Sequence, residues 1–215
     1  TGFLVPPVGY LERLREICDK YGILLVFDEV ICGFGRSGKA FASQSFGVTP
    51  DIMTMAKALT NGCQPMGAVA VNDNVYDTVT GSAPDGAIEL FHGYTYSGHP
   101  AACAAALATL DIFEREGLFE RGEVLSEYFL DSVFALSDLP VITDIRGYGL
   151  MAAFDVAPDD SGAGVRGYEL QKKLYNAGLH VKFTGDAALL APPLVAEREH
   201  IDEMCTVLRD VLSSY

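Results

Sequence analysis

The sequence predicts an α/β fold, and three observations support that prediction. An amphipathic helical pattern over residues 8–21 leads directly into an apolar run at 23–28, which is an order typical of α/β units. An alanine-rich stretch at 98–117 has the length and composition of a long, closely packed helix. From about residue 120 onward, shorter apolar runs alternate with helical patterns around glycine-containing turns. The chain therefore combines part of a larger α/β domain with a smaller α+β domain.

Each helix and strand predicted in the first part of the chain, before residue 120, is indicated by its own sequence pattern. The helix at 8–21 places its apolar side chains on one face, namely Leu11, Leu14, Ile17, Cys18 and Tyr21. The short run at 52–56 and the β-rich run at 66–71 are bounded by turn residues. We expect these runs to form neighbouring buried strands. In the helix at 98–117, Pro100 stands in the first turn, where its missing amide costs nothing.

The second part is predicted from the same kinds of pattern. Its elements are a helix at 118–136, strands at 141–144 and 150–156 around a turn at 146–149, a surface loop at 157–164, a helix at 167–176, strands at 179–183 and 187–191, and a last helix. The apolar residues of the last helix are Ile201, Met204, Cys205, Leu208, Val211 and Leu212. We assign residues 1–119 to part of the large domain and residues 120–215 to a small C-terminal domain.

Composition excludes several classes of protein. The 15 Lys and Arg against 29 Asp and Glu give a formal charge of −14, which argues against nucleic acid or an anionic membrane surface as a partner. No apolar run reaches the roughly 18 residues of a membrane span. The five cysteines are widely spaced without a C-x-x-C pair, which favours a reducing cytoplasm over a disulfide framework or a zinc site. Because the chain begins at Thr1 within an apolar stretch, we expect it to be a fragment.

An acid and a lysine end two consecutive strand signals. Asp28 closes the apolar run at 23–28, and Lys57 follows the next strand signal, 29 positions later. If both reach one pocket, they suit a cofactor with a cationic ring nitrogen and a carbon that forms an imine, which describes pyridoxal phosphate. Simpler interpretations stay open: either carboxylate of the pair Asp28 and Glu29 caps a helix or pairs with Arg36. Lys57 would then be a surface residue that packs its aliphatic stem on apolar neighbours.

The glycine-rich segment at 33–38 reads Gly-Phe-Gly-Arg-Ser-Gly and matches the dinucleotide fingerprint. No apolar helical face follows it at 39–49, and no strand ends in an acid about 20 residues further on, as a ribose contact requires. A nicotinamide or flavin site is therefore disfavoured. We expect a glycine-rich loop that shapes the edge of an active site.

Residues 92–100 concentrate hydroxyls and glycines immediately before a helix start. Backbone amides and hydroxyls at a helix N-terminus suit a phosphate group. His92 and His99 have no acidic or thiol partner at ligand spacing, so no metal site is predicted. The expected role of His99 is helix capping.

Five motifs follow one another in a specific order: Phe-Asp-Glu-Val at 27–30, the glycine loop at 33–38, Pro-Asp-Ile at 50–52, Ala-Lys-Ala-Leu at 56–59, and the hydroxyl-rich segment at 92–100. Together with Arg-Gly-Tyr-Gly-Leu at 146–150 and Ala-Pro-Pro-Leu at 191–194, they closely resemble the class III aminotransferases over essentially the whole chain. Within that family the chain resembles the omega-amino acid and amine:pyruvate branch. The resemblance implies the C-terminal part of a fold-type-I, pyridoxal-phosphate-dependent transferase. It also implies a homodimer or higher homo-oligomer with active sites at the subunit interface.

The same resemblance implies a role for each matching residue. Lys57 would form the internal aldimine and then move a proton between the substrate carbon and the cofactor. Asp28 would pair with the pyridine nitrogen, and Val30 would pack against the ring face. Tyr94 and Thr95 would reach the phosphate of the cofactor bound by the partner subunit. The implied reaction moves an amino group from an omega-amino acid or primary amine to a 2-keto acid such as pyruvate.

Lys182 is a departure from the family pattern, because many relatives place a carboxylate-binding arginine in its segment. Lysine offers a point charge rather than a planar fork, so recognition of a substrate carboxylate is weaker, relocated or tuned to another anion. The phosphate-binding loop and stacking aromatic ring of the N-terminal half are also outside this sequence, so the fragment alone is expected to be inactive. The alternatives are an aminomutase, epimerase or decarboxylase of the same family, or a truncated, non-catalytic dimerisation or binding piece.

Overall fold

The computed structural model describes residues 2–90, 92–160 and 162–215. The α-helices are α1 Tyr10–Tyr21, α2 Ala42–Ser45, α3 Asp73–Thr80, α4 Pro100–Arg115, α5 Leu118–Phe134, α6 Val165–Asn176 and α7 Arg198–Leu212. The strands are β1 Val26–Asp28, β2 Ile52–Met55, β3 Ala68–Val71, β4 Ile142–Tyr148, β5 Met151–Val156, β6 Lys182–Thr184 and β7 Ala187–Leu190.

The chain folds into two compact units. The first unit comprises Pro7–Phe34 and Ala40–Gly117. The second unit comprises Gly35–Lys39, Leu118–Tyr215 and the described part of Thr1–Pro6. The domain boundary expected between residues 119 and 120 stays a prediction.

The first unit contains a sheet in the order β1-β2-β3. Strands β1 and β2 are parallel, with Asp28 opposite Thr54, and β3 runs antiparallel to β2. The prediction that the runs at 52–56 and 66–71 form neighbouring strands is confirmed by the pairing of β2 with β3. Because β1 and β2 are parallel, their carboxyl ends lie at the same edge of the sheet.

The burial predicted for the runs at 52–56 and 66–71 is wrong, because no residue of β2 or β3 is fully buried. The run at 23–28 forms a strand only from Val26, and Val26 is 52% exposed, while Val69 of β3 is 64% exposed. The apolar composition of the strands suits a covered sheet, but the described residues do not supply a layer that covers these side chains.

Helix α1 supplies the small core of the first unit. Its Cys18 is buried together with Leu25 and Val48, and Leu11 and Leu14 pack against that cluster. The helix begins two residues later than its apolar pattern, after Gly9, and it ends at Gly22. Both glycines have a positive φ, and the Gly22 amide donates to the Cys18 carbonyl in the way that glycine commonly closes a helix.

Helix α4 confirms the predicted alanine-rich helix, with Pro100 as its first residue. Its buried residues recur every three or four positions, namely Ala102, Ala106, Thr109 and Phe113. It also contacts the one-turn helix Lys57–Leu59. The capping role expected of His99 is wrong: His99 occupies the N-cap position, but its side chain makes no capping bond. An imidazole lacks the short side-chain oxygen that N-cap residues use.

The Asp51 carboxylate accepts hydrogen bonds from three segments of the chain that lie next to β1 and β2. Its Oδ2 accepts from the Leu25 amide at 2.7 Å and from the Arg15 guanidinium at 2.8 Å, and its Oδ1 accepts from the Asn72 side chain at 2.8 Å. The bond from the Leu25 amide, followed by that from Arg15, lowers the pKa of Asp51 below its usual value. The ionised carboxylate therefore stabilises the fold.

Replacing Asp51 by asparagine in this 215-residue chain is expected to lower the midpoint of thermal unfolding at pH 7 by about 2–4 °C. A charge-assisted bond to Arg15 is lost, and an effect of roughly 1 kcal/mol in a chain of this size corresponds to such a shift. Because folding lowers the pKa of Asp51, its contribution is complete above the unfolded value of about 4 and disappears as the pH falls through the folded value. Thermal unfolding followed at pH 7 and near pH 3 measures both effects.

The matched control is Asp19→Asn, which removes an exposed carboxylate that pairs with the same Arg15 at 2.6 Å. Exposed pairs of this kind contribute little, so this variant should unfold within about 1 °C of the unmodified protein. An equal destabilisation by Asp51→Asn at both pH values would show that the charge of Asp51 contributes nothing.

The second unit is built on an antiparallel sheet in the order β4-β5-β7-β6. Helices α5 and α6 both contact α7, and α5 also contacts β4. Fully buried side chains from the sheet and all three helices form the core, among them Phe129, Phe154, Leu170 and Leu208. The helix predicted at 118–136 corresponds to α5, in which Leu125, Phe129 and Val133 are buried. The apolar face predicted for the last helix is largely confirmed, because Ile201, Met204, Leu208 and Leu212 are buried.

The turn predicted at 146–149 is displaced in the structure. Arg146 lies within β4 and its guanidinium bonds both carboxylate oxygens of Asp155 on β5, each at 3.0 Å. This cross-strand pair favours the extended conformation of Arg146. The hairpin turns at Gly149 and Leu150 instead, and Gly149 has a φ of 60°. A Cβ at Gly149 would lie 2.4 Å from the Arg36 carbonyl oxygen, so only glycine fits there.

The remaining predicted elements of the second unit are present, with shorter strands. The run at 179–183 yields β6 from Lys182 onward, and the run at 187–191 yields β7. The loop expected at 157–164 includes residue 161, which lies outside the described residues. None of the helices in the described ranges has the length and apolarity needed to span a bilayer.

Candidate active site

The predicted acid and lysine are both placed at the carboxyl edge of the parallel strand pair. Asp28 is the last residue of β1, and Lys57 begins a one-turn helix two residues after β2 ends at Met55. Asp28 lies opposite Thr54 in the ladder. In open α/β sheets this edge is where ligands bind.

The Asp28 carboxylate is held through one oxygen. Its Oδ1 accepts from the Val30 amide at 3.1 Å and from the Thr54 hydroxyl at 3.3 Å. Within the described residues, Oδ2 has no hydrogen-bond partner, and the side chain is exposed. The carboxylate is thus oriented by the protein and keeps one oxygen available for a cationic group.

Glu29 has the opposite environment, as the alternation of side chains along a strand requires. It is only 2% exposed, and its two carboxylate oxygens accept from the Ala42 amide at 3.0 Å and the Ser43 amide at 2.7 Å. These are amides of the first turn of α2, so Glu29 takes the helix-capping role that was open to either acid. Asp28 is left for another function.

Lys57 has an unusual backbone. Its φ is 47°, in the left-handed region that non-glycine residues enter at a cost of about 1 kcal/mol. The turn is fixed on both sides, because the Leu59 amide donates to the Ala56 carbonyl and the Thr60 amide donates to the Lys57 carbonyl. The Lys57 side chain is exposed, as a simple surface lysine would be. A surface lysine without a function has no need of a strained backbone. The left-handed φ therefore favours a functional role for Lys57 over the simpler interpretation.

Val30 and Cys32 follow the acid in the chain. Val30 is half-buried, and its amide fixes the Asp28 carboxylate. Burial raises the pKa of the Cys32 thiol, with further contributions from the negative charges of Glu29 and Asp28. Cys32 therefore stays protonated near neutral pH and is a poor nucleophile.

Tyr94 and Thr95 lie in a tight turn just before α4. The Ser97 amide donates to the Tyr94 carbonyl at 2.9 Å, and the His99 amide donates to the Tyr96 carbonyl at 3.2 Å. These bonds run within the segment, and both predicted phosphate-binding residues are exposed, Tyr94 by 78%. The hydroxyls of Tyr94 and Thr95 therefore lie close in sequence to the start of α4, as the predicted phosphate site requires. Both side chains are exposed on the surface of this chain.

The other predicted features lie as follows. Lys182 belongs to the second unit, where it is the exposed first residue of the edge strand β6, opposite Leu189. The glycine-rich segment at 33–38 is followed by α2, a helix of four residues, rather than by the long helix that a dinucleotide site uses. Among the residues that the structure describes, no three His, Cys, Asp or Glu side chains are grouped to hold a metal ion.

Thr54 is the site residue that sequence reasoning missed. Its hydroxyl bonds Asp28 and its carbonyl accepts from the Glu29 amide at 2.9 Å. The signal that could have identified it is the register of two parallel strands, because the residue opposite a strand-ending acid points to the same face. That register is not readable from one sequence.

Comparison with known proteins gives one consistent result. The family model for class-III aminotransferases matches residues 1–212. The chain is 50% identical over 212 residues to an omega-aminotransferase of Caulobacter vibrioides, covering 99% of this chain and 48% of that protein. It is 46% identical over 214 residues to a beta-alanine–pyruvate aminotransferase of Pseudomonas aeruginosa, again covering 99% of this chain and 48% of that protein. The chain thus spans about half the length of the curated relatives it matches.

Solved structures agree. An (S)-enantioselective omega-transaminase from Thermomicrobium roseum matches with a TM-score of 0.89 at 38% identity, over 99% of this chain and 48% of that one. The omega transaminase of Pseudomonas jessenii in complex with PMP matches with a TM-score of 0.89 at 34% identity and the same coverage. The predicted fold is confirmed, since the mixed helix and strand arrangement corresponds to about half of these enzymes.

Proposed function

Because this chain belongs to the class III aminotransferase family, we propose that the full-length enzyme moves an amino group from an omega-amino acid or primary amine to a 2-keto acid such as pyruvate. One observation in the structure carries the proposal: Asp28, with one carboxylate oxygen free within the described residues, lies at the same sheet edge as Lys57. The names of the relatives, a beta-alanine–pyruvate aminotransferase among them, support the substrate class.

The residues fit pyridoxal phosphate in three respects. An oriented carboxylate, Asp28, suits a protonated ring nitrogen, and a lysine amine stands at the same edge of the sheet. Hydroxyls and the start of α4 at 94–100 suit a phosphate. When bound, the cofactor supplies an electrophilic carbon for amines and a ring that withdraws electrons from the substrate carbon. In this proposal Val30 packs against the ring face, and Tyr94 and Thr95 serve the phosphate of the partner subunit's cofactor in a homodimer or larger homo-oligomer.

The chemistry assigned to this chain's own residues is limited to binding and proton transfer. Lys57 Nζ binds the cofactor and, once released by the incoming amine, removes and returns the proton at the substrate carbon. Asp28 holds the positive charge of the ring nitrogen, which favours negative charge on that carbon during the transfer. The left-handed backbone at Lys57 fixes where its side chain starts.

Lys182 is proposed to meet a substrate carboxylate as a point charge. Its exposed position at the start of β6 leaves the ammonium group accessible. A reducing, cytoplasmic location is also proposed, and the five free cysteines of the chain support it.

The test is to mix the purified full-length enzyme with beta-alanine or a primary amine and pyruvate, and to measure alanine. We expect alanine formation that requires both substrates and saturates with each. Racemisation, decarboxylation or rearrangement of a single amine, without any need for pyruvate, would overturn the proposal in favour of an epimerase, decarboxylase or aminomutase. The truncated, non-catalytic alternative concerns the 215-residue chain alone, and it would be favoured if the purified chain shows no imine absorption after cofactor is added.

A further inference from the structure

Thr54 occupies a central position in the hydrogen bonding at the sheet edge. Its hydroxyl donates to Asp28 Oδ1 at 3.3 Å, while its carbonyl accepts from the Glu29 amide at 2.9 Å. The residue therefore binds the acid strand through both side chain and backbone. It does so from β2, three residues before the lysine.

We propose that Thr54 is a positioning residue that orients the Asp28 carboxylate toward the cofactor's ring nitrogen. This inference rests on the proposed function and deepens it. Thr54 touches neither substrate nor the reacting atoms, so its effect is exerted through Asp28.

The geometry explains why a hydroxyl is needed at this position. A carboxylate at the end of a strand can rotate about its side-chain bonds, and the Val30 amide alone, at 3.1 Å, gives it a single anchor. The Thr54 hydroxyl adds a second donor to the same oxygen. With two donors on Oδ1, the other oxygen is held in one direction.

The connection to the lysine follows from the chain itself. Between Thr54 and Lys57 lie only Met55 and Ala56, and the backbone turns sharply there, with Lys57 at a φ of 47°. The parallel register sets Thr54 beside Asp28. Thr54 is thus a short hydrogen-bonded link between the segment that carries the acid and the segment that carries the amine.

The test compares Thr54→Val with Thr54→Ser in the full-length enzyme. Valine keeps the β-branched shape that suits a strand and removes only the hydroxyl, whereas serine keeps the hydroxyl. We expect Thr54→Val to weaken cofactor binding, measured by equilibrium dialysis, by about tenfold. We also expect kcat to fall by about tenfold with KM for the amine little changed, and Thr54→Ser to restore most of both losses.

The matched control is Thr143→Val in β4, which removes an exposed strand hydroxyl that bonds the Asp155 carbonyl at 3.2 Å. It should leave cofactor affinity and kcat unchanged. The midpoint of thermal unfolding is measured for every variant without cofactor. An unchanged midpoint shows that a loss of cofactor affinity comes from a misoriented Asp28 carboxylate and not from misfolding. If Thr54→Val loses its fold, Thr54→Ala replaces it as the variant without the hydroxyl, and cofactor binding as tight as that of the unmodified enzyme would then refute the role of Thr54.

The outcomes separate this inference from the proposed function. If the unmodified enzyme shows aminotransfer but a folded Thr54→Val binds cofactor as tightly and turns over as fast, the role of Thr54 is refuted and the function stands. If the unmodified enzyme neither binds the cofactor nor forms alanine, the proposed function is refuted, and the role of Thr54 with it.

Discussion

Lys57→Ala in the full-length enzyme is expected to lower kcat for alanine formation by about 10³-fold or more. In the function that we propose, the variant loses both the amine that would bind the cofactor and the base that would move the proton at the substrate carbon, and such groups acting as a unit are costly to remove. The visible absorption of cofactor bound to the lysine should vanish with the activity. A persistent band in Lys57→Ala without added amine would refute the assignment.

The control is Lys20→Ala, which removes an exposed lysine from the last turn of α1. Activity and absorption should match those of the unmodified enzyme. A third variant, Lys57→Gly, tests the backbone strain separately. Because glycine enters the left-handed region freely, Lys57→Gly should unfold at a higher temperature than Lys57→Ala, by an amount that corresponds to about 1 kcal/mol.

Asp28→Asn is expected to lower kcat by about 10²- to 10³-fold while leaving the midpoint of thermal unfolding nearly unchanged. The amide oxygen of asparagine can still accept from the Val30 amide and the Thr54 hydroxyl, so the local structure is retained. The negative charge that stabilises a protonated ring nitrogen is lost, and charge stabilisation of this kind contributes several kcal/mol to catalysis. Steady-state kinetics and thermal unfolding measure the two properties.

Glu29→Gln gives the opposite pattern and serves as the comparison. The buried Glu29 carboxylate caps two amides of α2, so its neutral analogue should lower the unfolding midpoint, whereas the kcat of the folded variant should stay nearly unchanged. If Asp28→Asn unfolded early and kept its kcat, the two acids would have exchanged roles relative to our assignment.

The sequence predicted that Asp28 and Lys57 each follow an apolar run that forms a strand. That the two strands are parallel, so that their carboxyl ends coincide at one sheet edge, is shown by the structure. The alternation of side chains along a strand also predicts that Asp28 and Glu29 point to opposite faces of the sheet. Only the structure shows that Glu29 is the buried acid.

Other features depend on contacts that a sequence does not specify. The left-handed backbone at Lys57 is set by hydrogen bonds of the turn at 56–60, and the Thr54 bond depends on strand register. The burial of β2 and β3 was overestimated, because apolar composition does not tell which segment covers a strand. The turn at 146–149 was misplaced because the pairing of Arg146 with Asp155 favours an extended chain, and β4 continues to Tyr148, four residues beyond the predicted strand end at 144.

Neither compact unit is a continuous length of chain, since the backbone passes from one unit to the other at 6/7, 34/35, 39/40 and 117/118. Early segments complete the second unit: the Phe3 carbonyl accepts from Arg146, and the Arg36 carbonyl accepts from the Leu150 amide. During synthesis on the ribosome, these segments must wait for more than a hundred residues before their partners emerge. The second unit therefore cannot complete its folding until late in translation.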